Sequence, residues 1–448
     1  MTHTAVLGEW SGWTALPGAL GAKDERLVDA LEAGGDSGAR LDVRERRGRV
    51  EVRTTSWVGR VRLAGSDLII RPKLAGLEPG LIKMLESVGG LQRLSRLPVD
   101  RTLSIGETGG LFDLLAVLLA EETARLIREG VNVGYDERER DLPVLRGRLL
   151  IKEQALRHFG QAHQLACRFD ELDNRTPENE LLLLALATAA PICLARETTS
   201  LVRRVFTELS DHLESERHPR SRETLRRIVP PGAGDDNRHL FRYRNSIELA
   251  WLILEHQLVD RPLTEGDVTS FAFLMDMNVI FERYLTEWLR SRLRARGLRV
   301  DAQTSRLALR DVATRRPIGA IRPDILISTA GARPLPIDAK YKRYAGPNED
   351  RRPRPLMSDL TQALLYAQVY GGPIVPRRTL LVFPTETSVP VSRSLELRDE
   401  SVTGKRCTVD VRPFPLLRAL REEPDPLLDQ LVQCAIEPFV TNESGTAA

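Results

Sequence analysis

The chain has 448 residues, room for two or three domains with substantial cores. Its 42% hydrophobic and 28% charged residues are those of a soluble globular protein. With 65 basic against 62 acidic side chains the net charge is +3, which excludes a molecule-wide basic field for nucleic acid, although arginines cluster locally.

The opening MTHTAVLGEW lacks the charged-then-apolar layout of a signal peptide. Gly35-Asp36-Ser37-Gly38 resembles a serine-protease nucleophile loop, but only His3 precedes it, so a glycine-rich turn is expected. Residues 41 to 74 alternate apolar and polar and break at Arg47-Gly48 and Gly65-Ser66, as hairpins do. The hairpin arginines Arg44, Arg46, Arg47 and Arg49 either block edge pairing or meet a partner, and Arg71-Pro72-Lys73 reads as a plain strand end. From 111 to 230 the pattern turns helical: LFDLLAVLLAEETARLIREG stops at Gly130, and DNRTPENELLLLALATAA opens with cap candidates Asp173 and Asn174 and with Pro177 in its first turn. The apolar run from Leu181 is too short to span a bilayer and contains Pro191. VPPGAGDDNRH, residues 229 to 239, carries the strongest linker signal.

After it come a helix near 245 to 258, the amphipathic FLMDMNVIFERYLTEWLRSRLRARG ending at Gly297, and then strands alternating with one helix. The expected fold is a multidomain α+β and α/β protein: a β-rich region over 1–100, a mainly helical middle over 101–265, and over 266–448 a mixed sheet flanked by helices, with a tail that is partly disordered. Cys167, Cys193, Cys407 and Cys434 are far apart with no CxxC, and His158 and His163 do not share a helix face. No zinc site or disulfide framework is expected, and a reducing cytoplasm suits the chain.

The chemistry concentrates in IRPDILIS, residues 321 to 328, and PIDAKYK, residues 336 to 342. Side chains alternate along a strand, so Asp338 and Lys340 project to one side. If the two runs pair through the turn TAGARP, Asp324 comes beside Asp338. Two such carboxylates repel, and a hard divalent cation resolves the repulsion. Magnesium, with manganese as a substitute, would make water more acidic and stabilise charge on a phosphate, while the lysine acts as a point charge beside it. Lys342, Arg343, Tyr344, Arg351, Arg352 and Arg354 border the site as DNA-backbone contact candidates.

Pro323-Asp324, thirteen intervening residues and Asp338-Ala339-Lys340 resemble the PD-(D/E)xK nuclease superfamily. Gln362 and Tyr366, four apart on the following helix, resemble the QxxxY element of its RecB-type members, and Glu282 stands where members place a third acidic metal ligand. More widely, SWVGRVRLAGSDLIIRPKLAG, LPVLRGRLLIKEQ, RFDELDNRTPENELLLLAL, MDMNVIFERYL and DLTQALLYAQVYG, in that order, resemble the McrC family, nuclease subunits of McrBC-type 5-methylcytosine-dependent restriction systems. That resemblance implies a metal-dependent DNA endonuclease acting on double-stranded DNA with modified cytosine. It also implies a separate McrB-like AAA+ GTPase ring, on which the N-terminal β-rich region docks and whose hydrolysis it stimulates. The chain has no G-x-x-x-x-G-K-[ST], since its one Gly-Lys pair, Gly404-Lys405, is followed by Arg406, so a nucleotide motor would come from the partner. A RecB-like repair or defence nuclease with another motor, or a non-catalytic adaptor of a AAA+ ring, are the alternatives.

Overall fold

In the computed structural model, residues 3–33, 38–74, 77–88, 99–161, 163–213, 219–259, 270–342, 355–370, 377–386, 392–397 and 407–440 are described. Residues 34–37 of the glycine-rich turn, the basic loop at 343–354 and Gly404-Lys405 lie outside them. The chain is a multidomain mixed α/β protein with several sheets. It divides into two compact units, Met1–Leu103 with Leu274–Ala448, and Ser104–Phe273. The expected N-terminal and C-terminal regions therefore share one unit, and the linker-like 229–239 falls inside the other. There it forms the short helix Ala233–Asp236, and Trp251 Nε1–H donates to Val229 O at 2.7 Å.

Alternation builds the N-terminal part of the first unit. Strand His3–Gly8 runs parallel to Ser66–Arg71, which pairs antiparallel with Trp57–Leu63. Thr14–Leu16, Arg49–Thr54 and Leu41–Arg46 form a second, antiparallel sheet. Arg46 faces Arg49, leaving Arg47-Gly48 as the turn at φ 54° and 69°, the left-handed pair that a tight hairpin requires. The next hairpin turns on Ala64-Gly65 (φ 51° and 70°), one residue earlier than the sequence reading, because Leu63 pairs with Ser66. Helix Leu77–Val88 buries Leu81, Met84 and Leu85 and packs against helices Met277–Leu293 and Leu416–Arg421.

The rest of this unit is a six-stranded mixed sheet in the order Arg299–Ala302, Ile325–Ser328, Leu335–Ala339, Arg377–Thr385, Cys407–Pro415, Arg393–Leu397. Arg377–Thr385 pairs in parallel with both of its neighbours, and the other three pairings are antiparallel. Helix Met357–Tyr370 covers one face, where Ala363 meets Leu381, Phe383, Val409 and Val411. Helix Met277–Leu293 covers the other, with the rings of Phe281 and Trp288 6.0 and 5.1 Å from that of Phe414. Asp276 caps this helix by accepting from Asn278 N–H at 2.9 Å and takes a hydrogen bond from Ser56 Oγ. The expected continuous strand over 321–328 is broken into Pro317–Ile321 and Ile325–Ser328, since Pro323 has no N–H for a ladder. Of the tail, Pro426–Val440 is a helix that buries Leu431 and Ala435, and residues 441–448 lie outside the described ones.

In the second unit, helix Val99–Glu129 crosses the unit boundary, is interrupted at Gly110 (φ 70°, ψ −167°) and stops before Gly130, as the sequence indicates. Gly134–Leu142 and Leu165–Asp173 form long antiparallel strands joined by Arg148–Leu149, where the sequence showed only a short extended piece. On and beside them Tyr135, Val144, Ile151, Leu156, Phe159 and Leu172 are exposed. Helix Pro177–Ala189 has Thr176 at its cap rather than Asp173 or Asn174, and Asp173 Oδ1 instead accepts from Arg175 N–H at 2.8 Å. Among the described residues no helix is long and apolar enough to cross a membrane.

Candidate active site

The antiparallel pairing Ile325↔Ile337 puts Asp324 and Asp338 at neighbouring ladder positions. Asp324 sits in the break after Pro323 rather than within a strand. It is anchored from two directions: Gln303 N–H donates to its carbonyl at 2.9 Å, and Ala339 N–H donates to its Oδ2 at 2.7 Å. The first carboxylate is thus tied to the residue between Asp338 and Lys340.

Asp338 is 0% exposed, and among the described residues its carboxylate oxygens take no hydrogen bond from a backbone N–H or a neutral side chain. Lys340 Nζ is 3.0 Å from Oδ1, an ion pair that acts on Asp338 through both charge and hydrogen bonding. Burial, followed by the charge of Asp324, pushes Asp338 up to about 7, with Lys340 pulling back. Burial alone would lower Lys340, yet its value is raised because the charges of Asp338 and Asp324 outweigh desolvation. The ammonium therefore stays charged.

Glu282, half-buried on helix Met277–Leu293, accepts from Gln303 Nε2–H at 2.9 Å. Burial and then the charge of Asp324 push it up to about 7. Gln362 Nε2–H donates to Tyr366 Oη at 2.7 Å, and Tyr366 Oη–H donates to Arg322 O at 3.0 Å. The helix thereby grips the break two residues before Asp324. Lys342 is bound to Asp359 (2.8 and 3.1 Å) on the same helix rather than left open to a phosphate. Arg343, Arg351, Arg352 and Arg354 lie outside the described residues.

Sequence reasoning missed Gln303, Tyr370 and the Ala339 amide. Tyr370 Oη lies 2.9 Å from Thr304 O and 3.0 Å from Ile321 O, extending the grip of Tyr366. Its spacing of four from Tyr366 on an already recognised helix face was the available signal.

Among the described residues no group of three His, Cys, Asp or Glu side chains could hold a metal ion, so Glu282 does not join Asp324 and Asp338 in one ligand set. The residues present still fit a hard cation: Asp338 is a fully buried carboxylate beside that of Asp324, with a further acid, Glu282, under the field of Asp324. Magnesium is commonly held in this way, by one or two carboxylates with the remaining positions left to water and substrate oxygens.

A family model for McrBC 5-methylcytosine restriction system components matches residues 52–384. The chain belongs to the McrBC family. Its fold is similar, at TM-score 0.63 and 16% identity, to a chain of a refined half-complex from a tetradecameric assembly of Thermococcus gammatolerans McrB AAA+ hexamers with bound McrC. That likeness covers 96% of this chain and 100% of the other. A second structure, the Thermococcus gammatolerans McrBC complex, matches at TM-score 0.44 and 18% identity over 65% of this chain and 88% of the other. No curated protein matches by sequence. The match to the McrBC model spans the break at Pro323, the paired carboxylates and the helix of Gln362 and Tyr366.

Proposed function

We propose that this McrBC-family chain is the nuclease subunit of a modification-dependent restriction system, with a PD-(D/E)xK-type site that hydrolyses phosphodiester bonds in double-stranded DNA. The observation that carries the proposal is Asp338, a fully buried carboxylate with Lys340 Nζ 3.0 Å away and Asp324 bonded to the intervening residue. A structural salt bridge needs neither the second carboxylate nor the burial.

Asp324 and Asp338 would hold magnesium, with Glu282 as a further acid at its edge; when bound, the ion supplies Lewis-acid stabilisation of phosphate charge and a more acidic attacking water. Asp338 would hold the cation in its ionised form, which its value near 7 leaves accessible at neutral pH. Lys340 stays cationic, placed to orient the attacking water and offset negative charge on the reacting phosphate. Gln303 steadies Glu282, and Tyr366 holds the backbone that carries Asp324.

The chain contains no phosphate-binding G-x-x-x-x-G-K-[ST], so nucleotide energy is assigned to a partner. The solved assembly to which its fold is similar contains McrC bound to McrB AAA+ hexamers. We assign this chain an equivalent ring partner, on which its N-terminal β-rich region docks and whose hydrolysis it stimulates. The test incubates full-length chain, partner ring, nucleotide, and magnesium or manganese with cytosine-methylated duplex DNA. Wild type is expected to cut and Asp338→Ala to leave the DNA intact; equal cleavage by both would end the proposal.

A further inference from the structure

Lys340 leaves the sheet through a tight reversal. Its N–H still donates to Val382 O at 2.8 Å, while its carbonyl accepts from Lys342 N–H at 2.8 Å. That bond marks a γ-turn centred on Tyr341. Strand alternation sends Tyr341 to the face opposite Lys340, where its ring is buried, 5.8 Å from that of Phe281.

The middle of this turn is gripped by the N-terminal segment. Lys73 Nζ donates to Tyr341 O at 2.5 Å and lies 3.7 Å from the centroid of the same ring. The parallel strands His3–Gly8 and Ser66–Arg71 end side by side, which brings Glu9 and Lys73 together. Glu9 N–H donates to Arg71 O at 3.0 Å, and its buried carboxylate stands 4.0 Å from Lys73 Nζ. Burial pushes Glu9 up to about 8, with the charge of Lys73 pulling back. Hiding both groups costs more than an apolar pair of similar volume would. The expected plain strand end is thus a buried anchor.

We propose that Lys73, seated by Glu9, is a positioning residue for Lys340: it fixes the Tyr341 turn and so places the Lys340 ammonium against Asp338. This rests on Lys340 belonging to the nuclease site, and two separate readouts keep the ideas apart. The first is acetylation of the full-length protein by limiting sulfo-NHS acetate, with Lys340 quantified against Lys83 by mass spectrometry. Lys73→Met and Glu9→Gln are expected to raise Lys340 labelling severalfold, and Lys73→Arg, which keeps a cationic donor, to return it toward wild type. Leu431→Ala, a cavity on the C-terminal helix of the same unit, reports general loosening and should leave Lys340 protected. Unchanged labelling in Lys73→Met and Glu9→Gln overturns the proposal, as does a rise in Leu431→Ala equal to that in Lys73→Met. The second readout is cleavage with the partner ring and magnesium. Lys73→Met should lower turnover roughly tenfold to a hundredfold while DNA affinity stays within about twofold, and Lys73→Arg should recover it. A wild type that cuts nothing would sink the nuclease reading yet leave the labelling result to stand or fall alone.

Discussion

A carboxylate with no exposure, set beside a second carboxylate, stores repulsion that a proton or a cation relieves. The folded value of Asp338, about 7, lies above its ordinary value of 3.8. The folded chain therefore holds the extra proton between those two values, and stability falls as pH rises through that interval. The ceiling on the loss is about 4 kcal/mol, from roughly 1.4 kcal/mol per unit. In metal-free buffer Asp338→Asn should melt close to wild type at pH 4 and several degrees above it at pH 8; parallel melting curves across that range would refute the assignment. Cation binding should reverse the order. Manganese at about a hundred times its dissociation constant would stabilise wild type by roughly 2.7 kcal/mol and leave Asp338→Asn nearly unmoved, which scanning calorimetry at pH 8 would check. An equal shift in both proteins would place the ion elsewhere.

At the scale of elements, the site is a junction between a broken strand and a helix that clamps the break. Tyr366 and Tyr370 direct their hydroxyls at two successive carbonyls just before Pro323, those of Arg322 and Ile321. Tyr366→Phe should cost about 1 kcal/mol through the lost hydrogen bond and weaken manganese binding roughly tenfold, because an outer partner orients a ligand. Isothermal titration separates the two effects: lower stability with unchanged affinity would reduce Tyr366 to packing. The sequence made the strands, the helix and the Asp324, Asp338 and Lys340 set legible, since alternation and helical spacing are local. The break at Pro323 was readable too, but the apolar residues on both sides of it masked the missing ladder donor. Gln303 to Glu282, Ala339 N–H to Asp324 and Lys73 to Tyr341 were not legible, because each depends on how distant segments pack. The pairing of Lys342 was not legible for the same reason: its partner Asp359 lies 17 residues on, across the loop at 343–354.

At the scale of the whole chain, the first unit is discontinuous, with 104–273 inserted between its two parts. A linker search favours proline and glycine clusters, so it pointed to 229–239, whereas the boundary at 273/274 lies in the apolar run FAFLMD and the glycines that follow 103/104 (Gly106, Gly109, Gly110) lie within helix Val99–Glu129. The consequence for folding is specific. Helix Leu77–Val88 packs against Met277–Leu293 and Leu416–Arg421, Lys83 Nζ donates to Leu420 O at 3.2 Å, and Met277 N–H donates to Ser56 O at 3.1 Å. A fragment beginning at Leu274 loses these partners and uncovers the apolar face of Met277–Leu293 that they bury. Each large side chain so exposed forfeits about 1.5–3 kcal/mol, and a domain with a total of about 5–15 kcal/mol does not survive several such losses. Residues 274–448 alone should therefore give the poorly dispersed amide spectrum and dye binding of a collapsed, unpacked chain. Co-expression with residues 1–103 should restore dispersion. A well-dispersed spectrum from 274–448 alone would show that the N-terminal segment is an accessory layer and not half of the fold.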